Sequence, residues 1–263
     1  AGLEIHLAVA SVLAGTTPGI VHVDDAATPG SALLRTGGRF YLAGSPAGDA
    51  WRRCLRTFFL DHARPPDPGW EGQGAFGLYA GPGWQPALPE VLAGSDHVPL
   101  QRLYLELETA KVGPPPAPGP GFRLRPVDGH LLAEEHLGRL AELRDEMTSE
   151  CPSVSFFLEH RFGVCLEAGG VLAGWCLSEY DEGTRSEVGI ETAPEHRRQG
   201  LGTAMALALA AEARTRGIAR LGWHCYQGNQ ASVATALRAG FEEVVSYPAH
   251  GVRYGRHDSR VKT

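Results

Sequence analysis

The chain has 263 residues, of which 43% are hydrophobic, and its formal net charge is −6 at pH 7. This length allows two domains of ordinary size. The acidic balance disfavours a general nucleic-acid binder, which usually carries a basic domain or face. No apolar run approaches the ~20 residues of a membrane span, and no basic segment precedes the apolar N-terminal patch. We therefore expect a cytoplasmic protein that binds neither nucleic acid nor a membrane.

The cysteine pattern argues against disulfides and against a metal site. The five cysteines are odd in number and widely spaced, and no CxxC or HExxH motif occurs. Free thiols in a reducing compartment are the natural interpretation. The spacing also lacks the paired ligands of a zinc site. We predict no metal.

Residues 1–111 alternate strand-like and helix-like segments. Apolar residues at helical spacing predict a helix over 47–63. Short runs rich in β-branched and aromatic residues predict strands over 19–25, 39–44, 76–81 and 100–108. This part of the chain is predicted to be a small α/β domain.

A proline-rich segment, VGPPPAPGPG, covers residues 112–121. Proline fixes φ and removes a backbone donor, so neither a helix nor a central strand passes through such a segment. We therefore predict a domain boundary there, with an N-terminal domain over 1–111 and a second domain over 122–263.

Residues 122–248 give a clear succession of elements with the order β-α-β-β-β-α-β-α-β. A hairpin is predicted over 162–180 with Gly169 and Gly170 at its turn, and Asn229 is a plausible N-cap. This succession predicts a mixed sheet with helices packed on it. The other predicted elements are strands 122–128, 185–193, 219–226 and 241–248 and helices 130–147, 201–216 and 229–239.

The stretch EHRRQGLGTAMALALAAEARTRG, residues 195–217, joins a charged, glycine-containing loop to a helix. The first turn of a helix presents unpaired N–H groups and partial positive charge, which bind anions. Gly200 and Gly202 have no Cβ, so we expect backbone amides to approach a ligand closely. Arg197 and Arg198 add positive charge. The loop predicts a pyrophosphate site, although an arginine cluster at an ordinary helix start is the alternative.

Two common nucleotide motifs do not fit this loop. GLGTAM lacks the third glycine of the dinucleotide fingerprint, and the GK[ST] of a Walker A loop is absent.

In its context the loop instead resembles the GNAT acetyltransferase superfamily. Residues 197–202 fit its [QR]-x-x-G-x-[GA] pattern, Ala193-Pro194-Glu195 its preceding turn, and Asn229, Ser232 and Ala239-Gly240-Phe241 its later helix. The pattern is similar, more narrowly, to zwittermicin-resistance-type members, which carry an extra N-terminal domain.

The resemblance implies a GNAT fold in which acetyl-CoA lies between two parallel strands that splay apart, here 185–193 and 219–226. Gly189 is expected to mark a bulge in the first strand. The resemblance then implies coenzyme A contacts from backbone or side chains at the following positions: Ile190, Glu191, Thr192, Arg197, Arg198, Gln199, Gly200, Leu201, Gly202, Thr203, Asn229 and Ser232.

The implied reaction is the attack of a neutral amine on a thioester, which requires a proton acceptor. Glu187 and Glu191 are four residues apart on one strand, so alternation places both on one face unless a bulge intervenes. The resemblance makes Glu187 our first choice as general base, because the family often uses a carboxylate near this place on this strand. The alternatives are that both are rim charges or that Glu191 pairs with an arginine. The family's usual acid, a tyrosine, corresponds here to Ala236. Water or one of the side chains Tyr226, Tyr247, Tyr254 and His224 could serve instead. The alternative is that no acid is needed, because coenzyme A thiolate is a tolerable leaving group.

These features predict an acetyl-CoA-dependent N-acetyltransferase that acts on a small-molecule amine, with a homodimer as one possible assembly. A catalytically idle acyl-CoA-binding module, whose N-terminal domain carries a regulatory or binding function, is the second hypothesis. A nucleotide-binding regulator is the third, and the missing motifs disfavour it.

Overall fold

The computed structural model describes residues 2–46, 48–62 and 75–253. These residues form eight α-helices and eleven β-strands. The helices are α1 (Leu7–Leu13), α2 (Asp49–Thr57), α3 (Leu88–Val91), α4 (Gly129–Leu132), α5 (Leu140–Ser149), α6 (Val154–His160), α7 (Leu201–Thr215) and α8 (Gln230–Arg238). The strands are β1 (Ile20–Val23), β2 (Ser31–Thr36), β3 (Arg39–Gly44), β4 (Ala75–Ala80), β5 (His97–Glu108), β6 (Arg123–Pro126), β7 (Gly163–Ala168), β8 (Val171–Glu182), β9 (Arg185–Thr192), β10 (Arg220–Tyr226) and β11 (Glu242–Arg253).

The chain divides into two compact units, and neither is continuous in sequence. The first unit comprises Ala1–Val9, Gly19–Gln101 and Pro248–Thr263, and the second comprises Ala10–Pro18 and Arg102–Tyr247. Strands β5 and β11 each contribute residues to both units. The division therefore differs from the predicted one, in which 112–121 separates two domains.

The position of the boundary follows from strand pairing. The segment of β5 from Arg102 to Glu108 pairs antiparallel with β10, from Tyr226 back to Arg220. Residues on the N-terminal side of the proline-rich segment thus complete the sheet of the second unit. Sequence composition marks the segment 112–121 correctly as irregular, but it does not reveal which strand the preceding residues pair with.

The first unit is built on strands β1 to β4 and the C-terminal part of β11. Strands β3 and β4 are parallel, and the other described pairs are antiparallel. Aromatic side chains dominate its core, including Phe40, Phe59, Phe76 and Trp84. The predicted helix over 47–63 is shorter, because α2 ends at Thr57 and a π-helical segment, Phe58–His62, follows. Residues 47 and 63 lie outside the described residues.

The second unit has the strand order β5-β10-β9-β8-β7-β6, and β9 and β10 are parallel. Helices α7 and α8 contribute to a core with β10, which includes Leu201, Met205, Leu209 and Trp223. A separate core, with α4, α5 and α6, includes Leu131, Leu143, Phe157 and Trp175. The unit is therefore a mixed sheet flanked by helices, and the predicted α/β fold is confirmed.

Local sequence signals account for several of these elements. Gly169 and Gly170 both have positive φ, at 59° and 82°, and form the predicted hairpin turn.

The predicted helix over 130–147 is wrong, because the chain forms α4 and α5 instead. Arg139 has a left-handed backbone, φ 65°, and it is the N-cap of α5. No sequence rule predicts this conformation for an arginine.

The strand pairing makes a testable prediction about fragments. A fragment of residues 122–263 lacks β5, so β10 loses its antiparallel partner and the core loses Leu103, Leu105 and Leu107, all buried. Burial of three leucines contributes about 5–9 kcal/mol, which is comparable with the whole stability of a domain. We expect this fragment to be unfolded or aggregated, and a fragment of residues 102–247 to be markedly more stable. Thermal melts by circular dichroism compare the two, and equal cooperative melting would contradict the assignment.

Candidate active site

The parallel strands β9 and β10 pair at one end only. Their register runs from Arg185 and Arg220 to Glu187 and Gly222, where the pairing stops. Both strands continue beyond this point, β9 to Thr192 and β10 to Tyr226. The two strands therefore part at their carboxyl ends and leave a gap in the sheet, as the family resemblance implies.

Backbone groups of β9 border this gap. Strand β9 stays paired with β8 as far as Thr192, and Ala193 donates its N–H to the carbonyl oxygen of Ala173 at 2.9 Å. Consecutive residues of an antiparallel strand direct their backbone groups to opposite edges. Ile190 and Thr192 therefore direct their N–H groups away from β8, towards the gap. Glu191 directs its backbone groups towards β8, so its predicted backbone contact with a ligand is not supported.

The predicted bulge lies on a different strand. The register between β8 and β9 shifts between Ser178 and Tyr180, so Glu179 of β8 is the extra residue. Gly189 pairs regularly with Leu177. A Cβ at Gly189 would overlap the carboxylate of Glu179. Gly189 therefore leaves room for a neighbouring side chain, and the expectation that it marks a bulge in β9 is wrong.

A turn with two left-handed residues leads from β9 into α7. Arg198 has φ 62°, and Gly200, the N-cap of α7, has φ 78°. The N-cap has no side chain to cap the first N–H groups of this 15-residue helix. Turns of this kind form concave arrays of amides that bind anions, and the helix terminus adds partial positive charge. Arg197, Arg198 and Gln199 are exposed beside it.

The residues of this turn have distinct contacts. Arg197 donates its Nε–H to the carbonyl oxygen of Thr192 at 3.0 Å, which ties the turn to the end of β9. Leu201 is buried in the core, and Thr203 is partly exposed in the first turn of α7. A Cβ at Gly202 would lie 3.0 Å from Thr235 Cγ2. Gly202 therefore permits close packing of α7 on α8, and the close approach of its backbone to a ligand stays a prediction.

The start of α8 is capped as predicted. Asn229 Oδ1 accepts a hydrogen bond from the Ser232 N–H at 3.1 Å. Ser232 Oγ in turn accepts from Trp223 Nε1 at 3.0 Å. The contacts of Asn229 and Ser232 with coenzyme A remain predictions. Ala236 is fully buried, and its methyl side chain cannot donate a proton.

The two candidate carboxylates have different partners. Glu191 forms an ion pair with Arg139, whose guanidinium lies 4.6 Å from the centre of the Trp175 ring. The alternative that Glu191 pairs with an arginine is therefore what the structure shows. Glu187 is buried, and its Oε1 lies 3.4 Å from Nε2 of His224.

Two aromatic residues contact His224, the partner of this second carboxylate. His224 Nδ1 is 2.8 Å from the Tyr247 hydroxyl, and the Tyr104 ring stacks on His224 at 4.7 Å. Burial raises the pKa of Tyr104 to about 12, so its phenol stays protonated. Tyr104 donates its O–H to Glu106 at 3.0 Å. Sequence analysis names His224 and Tyr247 as candidates but does not pair them, because 23 residues separate them.

The other candidate tyrosines differ in their settings. Tyr226 is 41% exposed, and the guanidinium of Arg102 lies 4.5 Å from its ring centre. Tyr254 lies outside the described residues. Within the described part of the chain, Tyr247 is thus the candidate that contacts the Glu187 and His224 pair.

The four buried cysteines offer little nucleophilic reactivity. All five are free, Cys54 is exposed, and the other four are buried. Burial raises the pKa of Cys151, Cys165 and Cys225, that of Cys165 to about 12, and the pKa of the fully buried Cys176 is raised as well. A raised pKa lowers the fraction of reactive thiolate. The buried thiols are therefore poor candidates for an acyl-enzyme intermediate.

Neither a cluster of metal-binding side chains nor a membrane-spanning helix occurs in residues 2–46, 48–62 and 75–253. No group of three or more histidine, cysteine, aspartate or glutamate side chains is placed to hold a metal ion there. Among these residues, no helix has both the length and the apolar character needed to cross a bilayer.

Comparisons with known proteins agree with this geometry. A mixed sheet whose two parallel strands part beside a helix N-terminus defines an acyltransferase of the GNAT type. The sequence profile of the family described as GNAT acetyltransferase matches residues 4–250. The chain therefore belongs to the GNAT acetyltransferase family and is an N-acetyltransferase. This confirms the resemblance to the superfamily, whereas the narrower zwittermicin-resistance type is not confirmed.

Individual relatives are distant. The uncharacterized N-acetyltransferase YdfB of Bacillus subtilis (strain 168) is 24% identical over 241 residues, which cover 91% of this chain and 87% of YdfB. A GCN5-related N-acetyltransferase-like protein from Streptococcus suis 89/1591 has a TM-score of 0.66 at 21% identity, with 96% of this chain and all of that chain covered. A GCN5-related N-acetyltransferase from Kribbella flavida has a TM-score of 0.59 at 17% identity, with 99% of each chain covered. At these identities the solved structures establish the shared fold alone.

The thiol environments predict a labelling pattern. In the native protein we expect one thiol, that of Cys54, to react rapidly with an aromatic disulfide at pH 8, because the four buried thiols are shielded and poorly ionised. All five should react in denaturant. Absorbance counts the released thiolate in both conditions, and Cys54→Ser should abolish the fast phase. A fast phase that persists in this variant would contradict the assignment.

Proposed function

We propose that the second unit transfers the acetyl group of acetyl-CoA to the amine of a small molecule by direct attack on the thioester. The observation that carries this proposal is the gap between β9 and β10, which opens beside the uncapped N-terminus of α7. The family uses acetyl-CoA as its co-substrate. The positions of the gap and the turn suit the two polar parts of this molecule, its pantetheine amides and its pyrophosphate.

The binding groups follow from these positions. The N–H groups of Ile190 and Thr192 would donate to pantetheine carbonyls. The amides from Arg198 to Thr203 would hold the pyrophosphate, because both the left-handed turn and the helix terminus favour anions. Arg197 and Arg198 would add positive charge beside the pyrophosphate, without a fixed contact to it. Asn229 has its side-chain oxygen engaged in the cap, so only its NH₂ group remains for the pantetheine arm.

Glu187 is the proposed general base. An alkylammonium has no lone pair, so it must lose one proton before its nitrogen attacks the thioester carbon. Glu187 accepts this proton. The C–N bond forms, the C–S bond breaks, and the second proton of the nitrogen passes to the sulfur, directly or through water. The products are the amide, coenzyme A with a protonated thiol, and one proton that leaves Glu187 for solvent.

Glu191 is the less suitable carboxylate. Its side chain already accepts a hydrogen bond from Arg139, which also contacts Glu142 and the carbonyl oxygen of Leu172. A carboxylate in this network orients Arg139 and holds the start of α5 against β9. We assign it a structural part in shaping the acceptor side of the site.

The acceptor is proposed only as a class. The net charge of −6 favours the approach of a cationic amine through long-range attraction. The second hypothesis is a catalytically idle acyl-CoA-binding module. Ala236, which replaces the family's usual tyrosine, supports this hypothesis. The buried side chains of Glu187 and His224 beside the gap do not support it. A panel of diamines, amino sugars and amino-acid amides, read by release of coenzyme A thiol, separates the two.

A pair of glycines tests the pyrophosphate site. Gly200→Val should weaken acetyl-CoA binding by at least tenfold, because valine resists the φ of 78° that the turn requires. Gly217→Val is the matched control at the other end of α7, since Gly217 has φ 77° and a Cβ there also meets open space. Its loss of stability should be similar, without loss of affinity. Titration calorimetry on both variants decides, and equal affinities would refute the site.

The two carboxylates give a second matched pair. Glu187→Gln keeps the shape but removes the basic oxygen, so kcat should fall by ~10²–10⁴, while acetyl-CoA affinity stays close to that of the wild type. Activity should partly recover at high pH, where free amine forms without a base. Glu191→Gln should show a clearly smaller loss of kcat. Steady-state kinetics from pH 6 to pH 10 measure both, and a larger loss in Glu191→Gln would reverse the assignment.

A further inference from the structure

The order of strands and helices occurs twice along the chain. In the first series, three antiparallel strands, β1 to β3, are followed by α2, β4, α3 and β5. In the second series, the antiparallel strands β7 to β9 are followed by α7, β10, α8 and β11. The strands β3 and β4 are parallel, and so are β9 and β10. The two series therefore share both their succession of elements and their strand directions.

The spacing along the chain repeats as well. The last three strands of the two series begin 146, 145 and 145 residues apart, and β5 and β11 are both 12 residues long. The first residues of these strand pairs are Arg39 and Arg185, Ala75 and Arg220, and His97 and Glu242. Each strand of the first series thus has a counterpart at a nearly constant distance along the chain.

The last strand of each series also pairs in the same way. The C-terminal part of β5 pairs antiparallel with β10, and the C-terminal part of β11 pairs antiparallel with β4. In both cases the partner is the second strand of the parallel pair in the other series. Element order, spacing and this exchange of strands agree, so the first unit is a structural counterpart of the second.

The counterparts differ where the second unit opens. Gly222 of β10 and Gly77 of β4 are 145 residues apart, as are the starts of their strands. The pair of Gly222 with Glu187 is the last between β9 and β10, whereas the pair of Gly77 with Arg39 is followed by three more. Arg39 therefore holds the register position of the proposed base. Strand β3 is described in full, and its sequence, RFYLAG, contains no acidic residue.

The strands β3 and β4 stay together to the end of β4. The final pair of their register joins Leu42 to Ala80. The next residue, Gly81, donates its N–H to the carbonyl oxygen of Leu42 at 2.9 Å. Backbone groups that face an opening in the second unit are thus bonded to each other in the first. A pantetheine arm would have to break this pairing, at the cost of hydrogen bonds already made.

The helix that follows β3 also differs from α7. Asp49 lies in the first turn of α2, whereas the first turn of α7 has no acidic residue. Arg52 donates to Asp49 and, at 3.2 Å, to the carbonyl oxygen of Pro46. A carboxylate at a helix N-terminus interacts with the partial positive charge that would otherwise attract a phosphate, and it repels an anion. The start of α2 therefore disfavours a pyrophosphate.

We infer that the first unit is a closed counterpart of the acyl-CoA-binding unit, so that each chain binds one molecule of acetyl-CoA, in the second unit. This inference rests on the proposed function. The paired edges of β3 and β4, the arginine at the register position of the base and the carboxylate at the start of α2 each oppose a second site. The first unit keeps the topology, and its series supplies β5 to the sheet of the second unit.

Titration calorimetry of the full chain with acetyl-CoA measures the number of sites. We expect one site per chain. Gly200→Val should weaken it about tenfold or more, and no second site of wild-type affinity should remain. Asp49→Asn removes the exposed carboxylate from the start of α2 and should leave the number of sites and the affinity within about twofold of the wild type. Two sites per chain would overturn the inference, as would half of the binding capacity retained at full affinity in Gly200→Val.

Hydrogen exchange followed by NMR compares the closed and the open strand pair in the same molecule. In the free protein, the Gly81 amide should exchange about tenfold or more slowly than those of Ile190 and Thr192, because it is already hydrogen-bonded. Saturating acetyl-CoA should slow Ile190 and Thr192 about tenfold and leave Gly81 within about threefold. A Gly81 amide that becomes protected only with acetyl-CoA would show that the first unit opens, which contradicts the inference.

Failure of the proposed function gives a different result in the same two experiments. If acetyl-CoA does not bind at all, the proposed function is wrong and this inference with it. The same holds if one molecule binds but neither Gly200→Val nor the exchange of Ile190 and Thr192 responds, because the site then lies elsewhere. If Asp49→Asn alone weakens binding, the acyl-CoA site belongs to the first unit, and the assignment of the two units is reversed.

Discussion

The parting of β9 and β10 is the constraint on which the whole site depends. Strand β10 keeps its antiparallel partner β5 from Arg220 to Tyr226, and β9 keeps β8 as far as Thr192. Each strand is thus fixed on one side while its other edge is open beyond Glu187 and Gly222. A buried backbone amide without a partner is costly. The open edges therefore favour a ligand that supplies amide carbonyls, as the pantetheine arm of the proposed co-substrate would.

Gly222 links the sheet to the chemistry at this point. It is the last residue of β10 that pairs with β9. A Cβ there would lie 2.8 Å from Tyr104 Cε2 and 3.4 Å from Glu187 Cγ. The absence of a side chain lets the Tyr104 ring lie across the strand, where it stacks on His224. One small residue thereby lets the Glu187 carboxylate, the imidazole and the Tyr104 ring pack closely beside the opening.

A structural feature can be predicted from this sequence when the residues that interact are close together along the chain. Features set by neighbouring residues are predicted well, such as the hairpin turn at Gly169 and Gly170, the Asn229 cap and the helix after Gly200. Features set by distant residues are not. The boundary between the units depends on the pairing of β5 with β10, and the partner of His224 comes from β11. The sequence thus predicts the family, whereas the contact between His224 and Tyr247 is visible only in the structure.

Arg139 explains two results. The predicted helix over 130–147 is wrong, and the sequence does not distinguish the partners of Glu187 and Glu191. Its left-handed backbone interrupts the predicted helix, and such a conformation persists only where surrounding contacts compensate its cost. Those contacts are the Trp175 ring, the Leu172 carbonyl and the carboxylate of Glu191. The same side chain that starts α5 therefore also engages Glu191. Arg139 and Glu191 are far apart in the chain, so the alternation of residues along β9 does not reveal their ion pair. That alternation only places Glu187 and Glu191 on the same face of the strand. The structure distinguishes them by their partners, a permanent cation for Glu191 and an imidazole for Glu187.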